Sequence, residues 1–142
     1  MSAEDARRRL LWHGVLMFLL GLLGGALVPL FPNPRMALSA HVDALMSGTF
    51  LAVVGLAWSD IRTGRRSGVA IFWLLLYGMY AVWAALVAAA ILRTSQMTPI
   101  AGSGLSAPAW RELVVNLPLG SGSVTLVVAC ALLLRAFGGR AR

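Results

Sequence analysis

Few ionisable residues fall inside or beside the long apolar stretches of this chain, and they are the first candidates for chemistry. They are His13, His41, Asp43 and Glu112. Imidazole is the commonest metal ligand in proteins, and its neutral ring enters an apolar medium at lower cost than a cation does. His41 is therefore a candidate metal ligand. For Asp43 the pattern favours a simpler role as an acid in the first turn of a helix, where the helix dipole stabilises a carboxylate.

His13 has a simpler interpretation than His41. Its place near the start of the first apolar stretch suits a ring at the membrane–water interface, or a hydrogen bond to a neighbouring helix. The 18 residues from His13 to Phe31 correspond to about 27 Å of helix. We therefore expect the two histidines near opposite membrane faces, unable to ligate one ion or one haem within a subunit. A haem on His41 would then keep an open position unless a non-histidine group fills it, which disfavours a bis-histidine electron carrier.

The stretches that hold these residues are long enough to cross a bilayer. Of 142 residues, 59% are apolar and 12% are charged, whereas a soluble domain is about half apolar and about a quarter charged. So few polar residues cannot cover a soluble globule. We predict an all-α membrane protein with one domain over residues 1–142. Its four transmembrane helices are expected at roughly 10–31, 40–59, 68–92 and 113–136.

The arginines predict the orientation of this four-helix bundle. All twelve basic residues are arginine, and nine fall on the side shared by the N-terminus, the loop at 60–67 and the C-terminus. Because cytoplasmic segments are rich in basic residues, we expect both termini in the cytoplasm. The net charge of +7 then has a topological cause, and no nucleic-acid partner is expected. The nine are Arg7, Arg8, Arg9, Arg62, Arg65, Arg66, Arg135, Arg140 and Arg142.

Proline, serine and glycine mark where the predicted helices end and where they meet. The prolines in residues 31–34 should end the first helix, because proline lacks an N–H and disfavours helical geometry before it. Ser39 is the predicted N-cap of the second helix, and residues 98–104 predict a loop. Small residues at three- and four-residue spacing predict close helix packing. They include Gly21, Gly24, Gly25, Ala81, Ala84, Ala85, Ala88, Ala89, Gly120 and Gly122.

Six short sequence strings, spread along the chain, form a recognisable set. They are WHGVLM at 12–17, NPRMALSAH at 33–41, GTFL at 48–51, YGMY at 77–80, MTPIAG at 97–102 and VN at 115–116. Together they resemble the bacterial hydroxylaminobenzene mutases over nearly the whole chain, and the strings around His13 and His41 are the specific ones. More distantly, the His-Gly-x-Leu-Met opening and the second-helix histidine are similar to styrene oxide isomerases.

The resemblance implies an enzyme with a cofactor. Hydroxylaminobenzene mutases isomerise hydroxylaminobenzene to 2-aminophenol, and styrene oxide isomerases are trimers of four-helix subunits that hold haem b on the second-helix histidine. By this resemblance, His41 is expected to ligate a ferric haem b whose open site acts as a Lewis acid on a small aromatic substrate. The chain is then a mutase (an isomerase) in the lipid bilayer of a bacterial inner membrane, expected as a homotrimer.

Further site residues are expected from the same resemblance. The isomerases carry an asparagine six residues after the ligand, where this chain has Ser47, whose hydroxyl is shorter and less fixed than an amide. Asp43, Tyr77, Tyr80 and Asn116 are candidates to steady the migrating oxygen or to carry a proton. For the tyrosines and Asn116, hydrogen bonding between helices is the alternative interpretation.

Three other functions fit part of the pattern. An epoxide isomerase of the styrene oxide type would use the same site. A small multidrug exporter has a similar length and four spans but needs a carboxylate in its first helix, and residues 14–31 contain none. A non-catalytic membrane subunit would explain the helices and the arginines but would leave His41 and Asp43 unexplained.

Overall fold

The computed structural model describes residues 2–61 and 63–138, and all regular secondary structure in these ranges is helical, with no strand. Four helices are long and one is a single turn. In chain order they are α1 (Ala3–Leu27), α2 (Pro34–Leu56), α3 (Arg65–Leu92), the short α4 (Pro99–Gly102) and α5 (Ala109–Gly138).

Each of the four long helices is long and apolar enough to cross a membrane. Short 3-10 turns, Val28–Leu30 and Ala57–Asp60, extend α1 and α2. The prediction of an all-helical chain with four helices of spanning length is thus confirmed for the described residues, and it indicates a multi-pass membrane protein. The side on which each terminus lies stays a prediction. Three arginines of the basic set, Arg62, Arg140 and Arg142, lie outside the described residues.

Helix α1 begins at Ala3 rather than near residue 10 because a capping box closes its first turn. The Ser2 hydroxyl accepts the backbone N–H of Asp5 at 3.0 Å, and the Asp5 carboxylate accepts the backbone N–H of Ser2 at 3.2 Å. These bonds satisfy amides that a helix start would otherwise leave free. At its other end α1 stops at Leu27, and Pro29 lies in the 3-10 turn that follows.

Helix α2 begins at Pro34, so the prediction of an N-cap at Ser39 is wrong. The N-cap is Asn33, whose side-chain oxygen accepts the backbone N–H of Met36 at 3.2 Å. Proline suits the first helical position because the N–H it lacks would have no partner there. Ser39 instead lies inside the helix, where its hydroxyl donates to the Arg35 carbonyl at 3.1 Å.

Asn33 also joins three elements at this end of the bundle. Its side-chain amide donates to the Ala101 carbonyl of α4 at 3.1 Å, and its backbone N–H donates to the Ala90 carbonyl of α3 at 3.1 Å. Only 2% of Asn33 is exposed, so water cannot replace these bonds. The prediction of a loop at 98–104 is wrong for Pro99–Gly102, which forms the helical turn α4. The hydrogen bond from Asn33 fastens this turn to the start of α2.

The long helices pack as two pairs, α1 against α2 and α3 against α5, and α2 and α3 join the pairs. In the first pair the backbones meet at Gly14 and Gly48. A Cβ on Gly48 would lie 2.6 Å from the Gly14 carbonyl oxygen. In the second pair a Cβ on Gly122 would lie 3.2 Å from the carbonyl oxygen of Gly78. Small residues therefore let the backbones approach, as predicted for Gly122, and replace the hydrophobic drive that lipid removes.

Two apolar clusters fill the bundle, one toward each end. The first takes residues from all four long helices, and the second lies where α2 begins, α3 ends and α5 begins. Large members of the first are Leu10, Met17, Leu51, Phe72 and Leu133. The second contains Met36, Ala37, Ala85, Ala89, Val115 and Leu119.

Candidate active site

His41 lies on the face of α2 that packs against α1. Its Nδ1 is 2.7 Å from the backbone carbonyl oxygen of Gly21. A carbonyl oxygen can only accept, so this hydrogen bond requires the proton on Nδ1, which in a neutral ring leaves the lone pair on Nε2. Histidine ligands are usually oriented in this way, with one ring nitrogen donating to the protein and the other free for a metal. His41 is therefore prepared to ligate through Nε2.

The His41 ring also lies directly against the backbone of Gly25, one turn beyond Gly21. A Cβ on Gly25 would come within 2.6 Å of Nδ1 and 2.7 Å of Cε1 of the ring, far inside the about 3.5–4.0 Å at which carbon atoms normally touch. The small-residue pattern predicted only helix packing for Gly25, and the contact with His41 was not predicted. The available signal was the four-residue spacing of the two glycines, which places both on one face of α1.

An apolar groove of about 210 Å³ opens beside His41 between α1, α2 and α3. Leucines of α1 form one wall, and α3 forms the opposite wall with an indole ring and a valine. No residue of these walls was predicted from the sequence, because their meeting depends on how the helices pack. Principal lining residues besides His41 are Leu20, Leu23, Leu27, Phe31, Trp83 and Val87.

The donor set around His41 suits a metal that brings most of its own ligands. Within residues 2–61 and 63–138, no group of three or more His, Cys, Asp or Glu side chains converges on one point. A bare zinc ion usually needs three or four protein ligands. An iron porphyrin already supplies the equatorial nitrogens and takes a single axial histidine in many proteins. A single imidazole beside an apolar groove fits that requirement.

His13 does not take part in this groove. Its Nδ1 is 3.0 Å from the Tyr80 hydroxyl on α3, and its ring meets Trp12 and Tyr80 edge-on. This is the hydrogen bond to a neighbouring helix that the sequence offered as one interpretation. Gly25, which touches His41, lies twelve residues further along α1, about 18 Å at helical rise. The two imidazoles cannot share an ion, in agreement with the prediction.

Asp43 and Ser47 follow His41 along α2 but occupy another face. Counted from Pro34, Asp43 is the tenth residue of the helix, so the prediction of a first-turn acid is wrong. Two residues correspond to about 200° of helical rotation, which turns Asp43 away from His41. Its Oδ2 is buried without a partner among the described residues, and Ser47 is also buried. Neither residue lines the groove.

The predicted site residues Tyr77 and Asn116 also lie outside the groove. The Tyr77 hydroxyl is 2.7 Å from the Ser121 hydroxyl of α5, and the Asn116 amide donates to the side-chain oxygen of Gln96 at 2.7 Å. Like the bond of Tyr80 to His13, these bonds tie separate elements together. The structure thus puts the three residues in three places. The two tyrosines make the bonds between helices that were the alternative interpretation, whereas Asn116 bonds to the segment between α3 and α4.

Fold and site together define an all-helical chain with four helices of membrane-spanning length and a histidine beside an apolar groove. The model of the styrene oxide isomerase family matches residues 6–138. The chain therefore belongs to the styrene oxide isomerase family and is an isomerase, as the sequence resemblance predicted.

Two curated relatives carry the name of a mutase. The chain is similar to hydroxylaminobenzene mutase HabB of Ectopseudomonas oleovorans, with 40% identity over 128 residues that cover 89% of this chain and 78% of the relative. It is also similar to hydroxylaminobenzene mutase HabA of the same organism, with 37% identity over 109 residues, 76% of this chain and 81% of the relative. No solved structure matches the chain significantly. Both names agree with an isomerase, which excludes the exporter and the non-catalytic subunit.

Proposed function

We propose that this chain is a mutase that converts arylhydroxylamines of the hydroxylaminobenzene type to 2-aminophenols. The names of its two relatives, at 40% and 37% identity, support this substrate class. In the reaction the N–O bond breaks, a C–O bond forms at the ortho carbon, that carbon loses its proton, and nitrogen gains one. Substrate and product are isomers, so neither an oxidant nor a reductant is needed.

The proposal includes haem b, held by Nε2 of His41. The observation that carries this part is the 2.7 Å hydrogen bond from Nδ1 of His41 to the Gly21 carbonyl, because it leaves Nε2 unprotonated. A ferric haem with an open position would supply Lewis acidity toward the hydroxylamine. His41 would hold it from one side, and His13 is too distant to occupy the other.

The apolar walls of the groove serve the reaction by excluding water. Positive charge grows on the arene as the N–O bond breaks, and bulk water would capture it at the wrong carbon. Leu20, Leu27 and Phe31 present hydrocarbon or aromatic surface, and Trp83 adds a flat ring that suits an aromatic substrate. A dry groove keeps the departing hydroxyl close to the ortho carbon.

A second copy of the chain is proposed to complete the groove. The groove has a volume of about 210 Å³, which is below the roughly 300–1,000 Å³ of pockets that enclose small ligands. A porphyrin and an arene together need more cover than one chain provides, which supports the homotrimer that the resemblance implies. Asp43, partly exposed on another face of α2, would reach a substrate only in the groove of a neighbouring copy, whereas Ser47 is buried within its own chain.

The proposed location is the bacterial inner membrane, with both termini in the cytoplasm. Arginines at the two ends of the described helices differ in number, and the richer end is expected in the cytoplasm. Arg7, Arg8, Arg9, Arg65, Arg66 and Arg135 lie at one end, and Arg35, Arg93 and Arg111 lie at the other.

The test is to supply phenylhydroxylamine and styrene oxide separately to the purified, haem-loaded protein and to identify the products. We expect 2-aminophenol from phenylhydroxylamine. If styrene oxide gives phenylacetaldehyde and phenylhydroxylamine gives no 2-aminophenol, the result would favour the second candidate, an epoxide isomerase. The family match supports this candidate. Formation of neither product by protein with a haem absorption band would contradict both functions.

A further inference from the structure

We propose that helix α1 selects the tautomer and the orientation of His41, and that Gly25 is a positioning residue of the active site for this reason. The consequence for haem rests on the proposed function, but the tautomer itself does not. It is a property of the protein without cofactor and can be measured there. Two features of α1 carry the inference, the carbonyl of Gly21 and the bare backbone of Gly25.

The Gly21 carbonyl determines where the imidazole proton lies. A neutral imidazole has two tautomers, and only the one protonated on Nδ1 presents a lone pair on Nε2. The oxygen of Gly21, 2.7 Å from Nδ1, stabilises that tautomer alone. A carbonyl oxygen has two lone pairs, so it can accept the helical N–H four residues on and the imidazole N–H together.

Gly25 makes this bond sterically possible. A Cβ at this position would lie 2.6 Å from Nδ1, 2.7 Å from Cε1 and 3.2 Å from Cγ of His41. Rotation of the ring about the Cβ–Cγ bond leaves Cγ in place, so it cannot relieve all three contacts. The ring would have to withdraw by about 1 Å to restore normal contact, and the bond to Gly21 would then exceed the roughly 3.2 Å limit of a good N–H···O bond.

Gly24 supplies a matched control on the same helix. A Cβ at Gly24 would meet nothing within 4 Å, although this residue borders the same groove. Gly24→Ala and Gly25→Ala add the same methyl group and raise the helix propensity equally. Only Gly25→Ala places that methyl group against the imidazole, so a difference between the two variants reports on His41.

The first experiment measures the tautomer by nitrogen-15 NMR of the haem-free protein. The chain has two histidines, so a His13→Gln background leaves the signals of His41 alone. We expect protonated Nδ1 and unprotonated Nε2 in this background and with Gly24→Ala added. With Gly25→Ala added, we expect that pattern to be lost in favour of protonated Nε2. An Nε2–H ring in the background protein would overturn the inference even if Gly25→Ala does not fold, and so would an unchanged pattern in folded Gly25→Ala.

The second experiment measures haem affinity by titration, with folding checked by helical content. Loss of an orienting partner typically lowers metal affinity by about 10- to 100-fold, and we expect a loss of that size in Gly25→Ala. Imidazole added to His41→Gly should restore a haem absorption band, and it should fail to do so in the double variant with Gly25→Ala. Restoration in the double variant would overturn the inference. Wild-type haem affinity in His41→Ala would contradict the proposed function instead and leave the tautomer result standing.

Discussion

The imidazole of His13 on α1 and the hydroxyl of Tyr80 on α3 lie 3.0 Å apart and join two helices that run in the same direction. Seven residues further along each helix, Leu20 and Val87 line the groove beside His41. The hydrogen bond therefore joins α1 and α3 on one side of the groove, about two helical turns away from it.

This pair should show measurable energetic coupling. We expect the free energies of unfolding of His13→Ala, Tyr80→Phe and the double variant to differ from additivity by about 0.6 kcal/mol, the average for hydrogen bonds between membrane helices, and by at most about 1.7 kcal/mol. The measurement is a double-mutant cycle in detergent micelles. Strictly additive effects would show that the two side chains do not act as a pair.

The close approach of the α1 and α2 backbones should depend on Gly48. A Cβ there would lie 2.6 Å from the backbone oxygen of Gly14 and 2.6 Å from the backbone nitrogen of Phe18, so the helices must separate. We expect Gly48→Ala to lower the free energy of unfolding by about 1–3 kcal/mol, the usual cost of overpacking. Gly120→Ala is the control, because its nearest neighbour would be 3.8 Å away. Equal stability of the two variants would contradict the close backbone contact.

Removal of the His41 side chain should remove the cofactor. His41→Ala has no nitrogen at the ligand position, so we expect no Soret band after haem-replete expression and no conversion of phenylhydroxylamine. His13→Gln is the matched control for loss of a histidine, and it should keep the band. A fully active His41→Ala protein would refute the assignment of His41 as the ligand.

Asn33 should stabilise the end of the bundle where α2 begins. Asn33→Ala leaves the Met36 N–H and the Ala101 carbonyl without their side-chain partner in a buried place, at an expected cost of about 1–3 kcal/mol. Asn33→Ser keeps an N-cap oxygen but not the donor to Ala101. We expect Asn33→Ser to recover part of the free energy of unfolding that Asn33→Ala loses. Amide hydrogen exchange in α4 should stay faster than in wild type. Full recovery by Ser would show that the Ala101 bond contributes nothing.

Asp43 should matter more for turnover than for stability. Its buried Oδ2 has no partner among the described residues, so replacing the carboxyl by an amide of the same shape removes no hydrogen bond from that oxygen. We expect Asp43→Asn to unfold at the same temperature as wild type or higher. We also expect it to turn over phenylhydroxylamine at least about tenfold more slowly, because groups that transfer protons contribute roughly 100-fold or more to the rate. Unchanged turnover would exclude Asp43 as a proton carrier.

The sequence alone was sufficient to predict four helices of membrane-spanning length, and it also singled out His41 as the candidate ligand. A bilayer acts on contiguous stretches, so about 20 apolar residues in a row predict a spanning helix without knowledge of its neighbours. An imidazole within such a stretch is costly, which indicates a function before any contact is known. Both conclusions depend on residues close together in the chain.

Helix ends were harder to predict because several residues compete to form a cap. Ser39 and Asn33 are both good N-cap residues. Asn33 prevailed because Pro34 suits the first helical position and because α3 and α4 supply partners for the remaining groups of Asn33. That competition moved the start of α2 and with it the position of Asp43 in the helix.

Only the tertiary structure decided which glycines join helices and which one makes room for a side chain. Gly24 and Gly25 are adjacent and identical in local sequence chemistry, yet one faces open space and the other touches His41. The neighbours of a helix face come from other helices, and local propensity contains no information about them. The separation of Tyr77 and Asn116 from His41 has the same cause, since helix packing decides which faces of different helices meet.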